Sequence, residues 1–375
     1  MRQLPRRKLE PEEAQAKITA AVIELTSCAL GLRDPYVDWL LGDGFGSVST
    51  GLARHARQMD PAVGMVDILQ AARNAWTACG LQALFGRSVE LTPAIFAYSM
   101  LYPYSDNYLD NVEVSREAKL AFSARFQRRL EGEKLETTNT REATIWALVE
   151  MIEAQYVRTE YPQVYQSLLA IHAAQERSIA QLRRDRQGAE PDVLPLTFSK
   201  GGTSVLADGC LAAGWLRPEE AEFAFQWGVV LQLGDDLQDV RSDRRQGSLT
   251  LYTSAAAREP LDGITNRTLQ FGRWVMAAMD RLPNGRPVLK ELLKKSSQLL
   301  LIRSAAGASE LYTAEYLEQL EPYSPFRFEF LRQREEELAT RKREYASLFE
   351  NLIKFRQNET RMRLRTFRMQ NVLTR

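Results

Sequence analysis

The sequence points to an all-α protein built as one large helical bundle. Three observations carry that expectation. Apolar residues recur at three- and four-residue spacing along most of the 375 positions. Alternating apolar–polar runs joined by Asn-Gly-type turns are missing, so the hairpin pattern of a β protein is absent. The composition, 45% hydrophobic and 26% charged, belongs to a globular chain long enough to bury a sizeable core.

Taken in order, the periodicity predicts helices over 9–31, 61–86, 92–112, 115–131, 141–160, 162–186, 195–213, 218–243, 262–282, 286–304 and 328–370. Between the first two, Gly42-Asp43-Gly44-Phe45-Gly46-Ser47 is glycine-dense enough to cradle a phosphate. No strand precedes it and the fingerprint is incomplete, so it reads as a plain loop. The helix over 92–112 is rich in aromatics: Phe96, Tyr98, Tyr102, Tyr104 and Tyr108. Pro162 and Pro218 suit the first turns of their helices, where a missing N–H costs nothing. The stretch 187–195 reads as a loop. The longest apolar stretch, Phe223 to Leu233, is interrupted by Gln226 and Gln232 and is too short to cross a bilayer, so it reads as a buried helix. The expected division is a helical N-terminal extension (1–60), the bundle itself (61–325) and a C-terminal helix with a basic tail (326–375).

Charge and rare residues narrow the chemistry. Forty-nine basic and 48 acidic residues nearly cancel, which removes the global electrostatic case for binding nucleic acid. His55 and His172 are the only histidines, and Cys28, Cys79 and Cys210 the only cysteines, none with zinc-ligand spacing. Three widely spaced cysteines suit a reducing compartment. Any divalent metal would be a hard ion on carboxylates, such as magnesium. The N-terminal Met-Arg-Gln-Leu-Pro-Arg-Arg-Lys is basic without an apolar segment behind it and is not read as an export signal, so a cytoplasmic location is expected. Residues 354–375 hold seven basic residues and one acidic one. A run such as Arg361-Met-Arg-Leu-Arg can lie against an anionic membrane surface, giving peripheral contact at its inner face, or it is a solvated terminus.

Two acidic clusters stand out. Asp106 and Asp110, in Ser105-Asp106-Asn107-Tyr108-Leu109-Asp110-Asn111, are four apart and therefore share a helix face. There they repel unless a cation sits between them. Asp235, Asp239 and Asp243 fall at successive four-residue steps, with Asp236 beside them, directly after the apolar run. Buried unpaired, each would cost several kcal/mol, and the end of a helix is where its dipole disfavours anions. One such pair alone is most simply a solvated surface. Two, each beside an apolar segment, point to a shared magnesium site for a phosphorylated ligand, since magnesium binds through few carboxylates plus phosphate oxygens. In Thr197-Phe198-Ser199-Lys200-Gly201-Gly202-Thr203, the glycines mark a kink or a close approach, and Lys200 supplies a point charge for phosphate. The plainer reading is a helix-start loop with a surface lysine.

These residues together resemble the class I isoprenoid synthase superfamily over residues 60–320. Gly234-Asp235-Asp236-Leu237-Gln238-Asp239 is similar to the second, GDDxxD motif of trans-prenyltransferases. The 235/239/243 spacing is similar to the metal triad of terpene cyclases, with aspartates in place of Asn, Ser/Thr and Glu. Ser105 to Asn111 resembles the first motif of the large-terpene synthases related to tetraprenyl-curcumene synthase. The resemblance implies an all-helical fold whose Asp106, Asp110, Asp235, Asp236, Asp239 and Asp243 hold magnesium, three ions in the superfamily, on a prenyl diphosphate substrate. It implies phosphate contact from Lys200, with Arg177, Arg244 and Arg245 as further candidates. Tyr102, Phe198, Phe225 and Trp227 become candidate cavity walls that shield a carbocation from water, and Tyr102 a candidate floor.

The departures shape the expected reaction. Only Arg116 follows the first motif, and no GGKxxR lies upstream to hold isopentenyl diphosphate. A terpene synthase that ionises an allylic diphosphate is therefore expected ahead of a chain-elongating trans-prenyl diphosphate synthase. A non-catalytic prenyl-diphosphate-binding subunit of the same fold is the third reading, and a homodimer is compatible with all of them.

Overall fold

The computed structural model describes residues 29–182 and 191–334, with scattered positions between 17 and 27 and at 337. The basic tail at 354–375, Cys28, and much of the helices expected over 9–31 and 328–370 lie outside the described residues.

The protein is all-α: the described residues form fourteen α-helices and no strand. They are α1 (Pro35–Trp39), α2 (Phe45–Met59), α3 (Met65–Leu84), α4 (Pro93–Leu109), α5 (Arg116–Leu130), α6 (Thr140–Gln155), α7 (Pro162–Ser178), α8 (Val193–Ala213), α9 (Pro218–Gln238), α10 (Val240–Gln246), α11 (Leu251–Ala256), α12 (Asp262–Ala278), α13 (Pro287–Gly307) and α14 (Ala314–Leu320). None of the described helices is long and apolar enough to cross a membrane.

Local chemistry starts these helices where the periodicity expects them. Thr92, Ser115, Asn139 and Asp192 each accept a hydrogen bond from a first-turn amide of α4, α5, α6 and α8. Prolines 93, 162, 218 and 287 occupy first-turn positions. Two expectations are overturned. Gly42–Ser47 is not a loop: a π-turn over Leu40–Gly44 leads straight into α2. Glycine is a poor helix former, but Val37, Leu40, Val48, Leu52, Ala53 and Ala56 are buried in the main core, and that burial outweighs about 1 kcal/mol per glycine. The main core runs from Val37 to Leu292, so residues 35–59 share it with the bundle. Nor does the helix expected over 218–243 run unbroken. Its regular winding stops at Gln238 and resumes at Val240.

Gly201 and Gly202 do not kink α8, which is continuous. They mark a close approach instead. A Cβ on Gly201 would fall 2.5 Å from the carbonyl oxygen of Gly228, and one on Gly228 would fall 2.1 Å from that of Gly201. Helices α8 and α9 thus cross backbone to backbone, which draws Lys200 toward the aspartates at the end of α9. At that crossing Thr197 Oγ1 lies 3.4 Å from Asp236 Oδ2.

Candidate functional site

Both acidic clusters occupy helix C-termini. Asp106 lies in the last turn of α4 and Asp110 caps it. Asp235 and Asp236 lie in the last turn of α9 and Asp239 caps that. Hydrogen bonds of 2.9 Å from Asp239 N to Asp235 O and from Asp243 N to Asp239 O carry the four-residue step across the break, so the stripe survives it. Helix C-termini carry partial negative charge, so the protein has placed carboxylates where its own dipoles oppose them.

The side chains register that conflict. Burial, then the charge of Asp110, pushes the Asp106 carboxyl up to about 7. Burial raises Asp236 to about 6, against a hydrogen bond from Gln232. Burial and the carboxylates of Asp236, Asp239 and Asp235 raise Asp243 to about 7, and Asp239 is raised by burial and Asp235. Only two cations reach the group at ion-pair distance among the described residues. Lys200 Nζ is 3.4 Å from Asp110 Oδ2, and Arg73 Nη2 is 3.2 Å from Asp235 Oδ1. Burial works against the charge on Lys200, but the carboxylates of Asp110, Asp106 and Asp236 overcome it and hold the ammonium above its ordinary range.

The two clusters share the mouth of a cavity of about 550 Å³ between α3, α8, α9 and α13, lined by Asp106, Lys200 and Asp235 at the rim and by Tyr102 and Trp227 among others. A narrow apolar cleft of about 40 Å³ branches from beneath Asp106 between α4, α5 and α7, walled by Leu101, Leu109, Phe126 and Leu168. Tyr102 lines both. Another cavity, about 780 Å³, lies elsewhere, between α12, α13 and α14. Lys294 pairs with Asp280 and Lys295 with Glu291, and the lining holds a single carboxylate, Glu291, where the aspartate mouth has a cluster.

Of the residues singled out from sequence, Asp106, Asp235 and Lys200 line this mouth, Asp110 pairs with Lys200, and the charges of Asp236, Asp239 and Asp243 act on one another and on the residues of the mouth, while Tyr102 and Trp227 line its cavity. Phe198 and Phe225 do not line it. Phe198 stacks on Phe271 at 6.0 Å, and Phe225 packs where a Cβ on Gly202 would stand. Arg177, Arg244 and Arg245 are exposed and line neither cavity. Sequence reasoning missed Arg73, Asn74, Gln175 and Asp208. Gln175 Nε2 lies 3.4 Å from Asp110 Oδ1, and Asn74 Nδ2 donates to Asp208 Oδ1 at 3.0 Å. The only signal for Asp208 was a lone carboxyl between Ala207 and Gly209 in an apolar helix.

Among the described residues, no three carboxylate, histidine or cysteine groups converge closely enough to cage a metal by themselves. The donor set nonetheless fits magnesium. It is all hard oxygen, it is crowded with unrelieved negative charge, and magnesium characteristically leaves part of its coordination to water and substrate phosphate. No protein-family model, curated protein or solved structure matches this chain.

Proposed function

We propose that this protein is a magnesium-dependent class I terpene synthase, which ionises an allylic prenyl diphosphate to a carbocation that cyclises or eliminates. The observation that carries the reading is the convergence of Asp106, Asp110, Asp235, Asp236, Asp239 and Asp243 with Lys200 above a cavity of about 550 Å³. An anionic mouth of this kind attracts no bare diphosphate. It attracts a diphosphate that arrives with divalent cations, and Lys200 then adds a fixed positive charge beside it. Bound magnesium would supply the electrostatic stabilisation that lets diphosphate leave. The chain's own part is to hold the diphosphate at the rim, point the hydrocarbon inward and keep water away. Leu231, Leu289 and Trp227 supply apolar wall for the last two tasks.

The test is direct. Purified protein and magnesium are incubated with allylic diphosphates from ten carbons upward, with and without isopentenyl diphosphate, and diphosphate release and extracted products are measured. Release without isopentenyl diphosphate, giving hydrocarbons or alcohols, is expected. Release only with it, giving longer diphosphates, would make the protein a prenyltransferase, and no release on any substrate would remove the enzymatic reading.

A further inference from the structure

Below the aspartate mouth the cavity wall carries a carboxyl that the metal chemistry does not use. Asp208 sits on α8 eight residues after Lys200, about 12 Å further along the helix axis. It is 1% exposed. Its Oδ1 accepts from Asn74 Nδ2 at 3.0 Å, and the same amide lies 3.3 Å from Ser99 Oγ. Its Oδ2 is buried with no hydrogen-bond partner. Two other buried, unpartnered polar atoms belong to the same cavity: Gln175 Oε1, on a side chain 3% exposed, and Trp227 Nε1, on one 5% exposed. Orphaned buried polar atoms are costly, and three of the five among the described residues belong to residues of this one wall.

The surroundings decide the state of Asp208. Asn74 is its hydrogen-bond partner, and the ionisable groups that feel its charge are the Tyr98 phenol and the Cys79 thiol, neither a cation. Burial without a counter-charge holds its carboxyl well above the usual range, which favours the neutral acid over the carboxylate. A neutral acid on a residue of the cavity wall can donate a proton, an arrangement known to serve catalysis.

We propose, resting on the terpene synthase reading, that Asp208 is a catalytic acid–base that reprotonates a neutral polyene formed part-way through the reaction. The first carbocation loses a proton to the departed diphosphate and becomes a neutral olefin. Oδ2 of Asp208 then gives its proton to one carbon of a double bond. The π pair forms the new C–H bond, the other carbon becomes cationic, and Asp208 becomes a carboxylate paired with that cation. The carboxylate next removes a proton from a neighbouring carbon. That C–H pair becomes the new double bond and the acid is restored. No external oxidant, reductant or other co-reactant is needed.

The experiment follows solvent hydrogen into the product. Wild-type protein, magnesium and the accepted diphosphate are run in deuterium oxide, where the acid exchanges to its deuterated form, and products are read by mass spectrometry. The expected result is one solvent deuterium bonded to carbon in each product molecule, and a drop in labelled product of about a hundredfold in Asp208→Asn, whatever that variant's rate of diphosphate release. A purely structural Asp208 would leave the label unchanged. Wild-type product free of deuterium, with diphosphate still released, overturns the proposal while leaving the terpene synthase reading intact. Equal labelling by the variant also overturns it. If the variant fails to fold, the wild-type label alone decides. Absence of diphosphate release from the wild type defeats the underlying reading, and the proposal with it.

Discussion

At the scale of single residues, the carboxylates differ in what they can do because their surroundings differ. Asp106 and Asp243 are pushed up to about 7 by burial and by neighbouring carboxylates, whereas Glu142 is drawn down to about 2, first by a hydrogen bond from Arg125. Glu142 is structural: it ties α6 to α5 and holds Thr138 N at 2.8 Å. The raised pair is frustrated, and on the proposed function a divalent cation would relieve it. Asp106→Ala or Asp235→Ala is expected to lower diphosphate release by about 100-fold or more, with the helical circular dichroism unchanged. Turnover near the wild-type rate would remove those residues from the metal site. Lys200→Ala is expected to lower kcat/KM by about 10- to 100-fold, the worth of one charged hydrogen bond to phosphate. Unchanged steady-state kinetics would return Lys200 to a role in pairing with Asp110.

At the scale of elements, the crossing of α8 and α9 organises the site. Gly201 and Gly228 let the two backbones touch, and that contact places Lys200 beside the aspartates ending α9. Gly228→Ala must drive a methyl group into the Gly201 carbonyl, so a loss of about 3 kcal/mol in urea unfolding is expected, with the same mutation weakening phosphate binding by displacing Lys200. Unaltered stability would mean that the helices part easily. This crossing was half legible from sequence: paired glycines in an apolar helix predict either a kink or a close approach, and only the partner helix distinguishes them. The helices at 35–59 were not legible, because four glycines in eleven residues (42, 44, 46 and 51, within 41–51) weigh against a helix in any local reading. They become helical through burial against α3 and α13.

At the scale of the whole molecule, the mouth couples stability to pH and, on the proposed function, to metal. Asp106, Asp236 and Asp243 have folded-state values above the ordinary carboxylate value near 4, so the folded protein binds protons more tightly than the unfolded chain. Their contribution to stability is fully present below about pH 4 and is lost as pH rises through about 6 to 7. Metal-free protein is therefore expected to melt at lower temperature at pH 8 than at pH 5.5. Magnesium with inorganic diphosphate is expected to raise the melting temperature more at pH 8 than at pH 5.5, since protons and metal compete for the same oxygens. Asp106→Asn should flatten both trends. Melting temperatures of the wild type that rise from pH 5.5 to 8 without metal would show that the carboxylates are not in conflict.

The sequence alone determined the helical class, most helix starts and the three acidic and basic segments. Those properties are local: a 3.6-residue repeat, a cap, or a four-residue step between aspartates acts over one or two turns. Tertiary structure alone decided which of those segments meet. Lys200 reaches Asp110 across 90 residues, Asn74 reaches Asp208 across 134, and Arg73 reaches Asp235 across 162. Periodicity says which face a side chain takes on its own helix and nothing about the helix opposite. The cavity, the exclusion of Phe198 and Phe225 from its wall, and the buried carboxyl of Asp208 beside it follow from how α3, α4, α8 and α9 pack together.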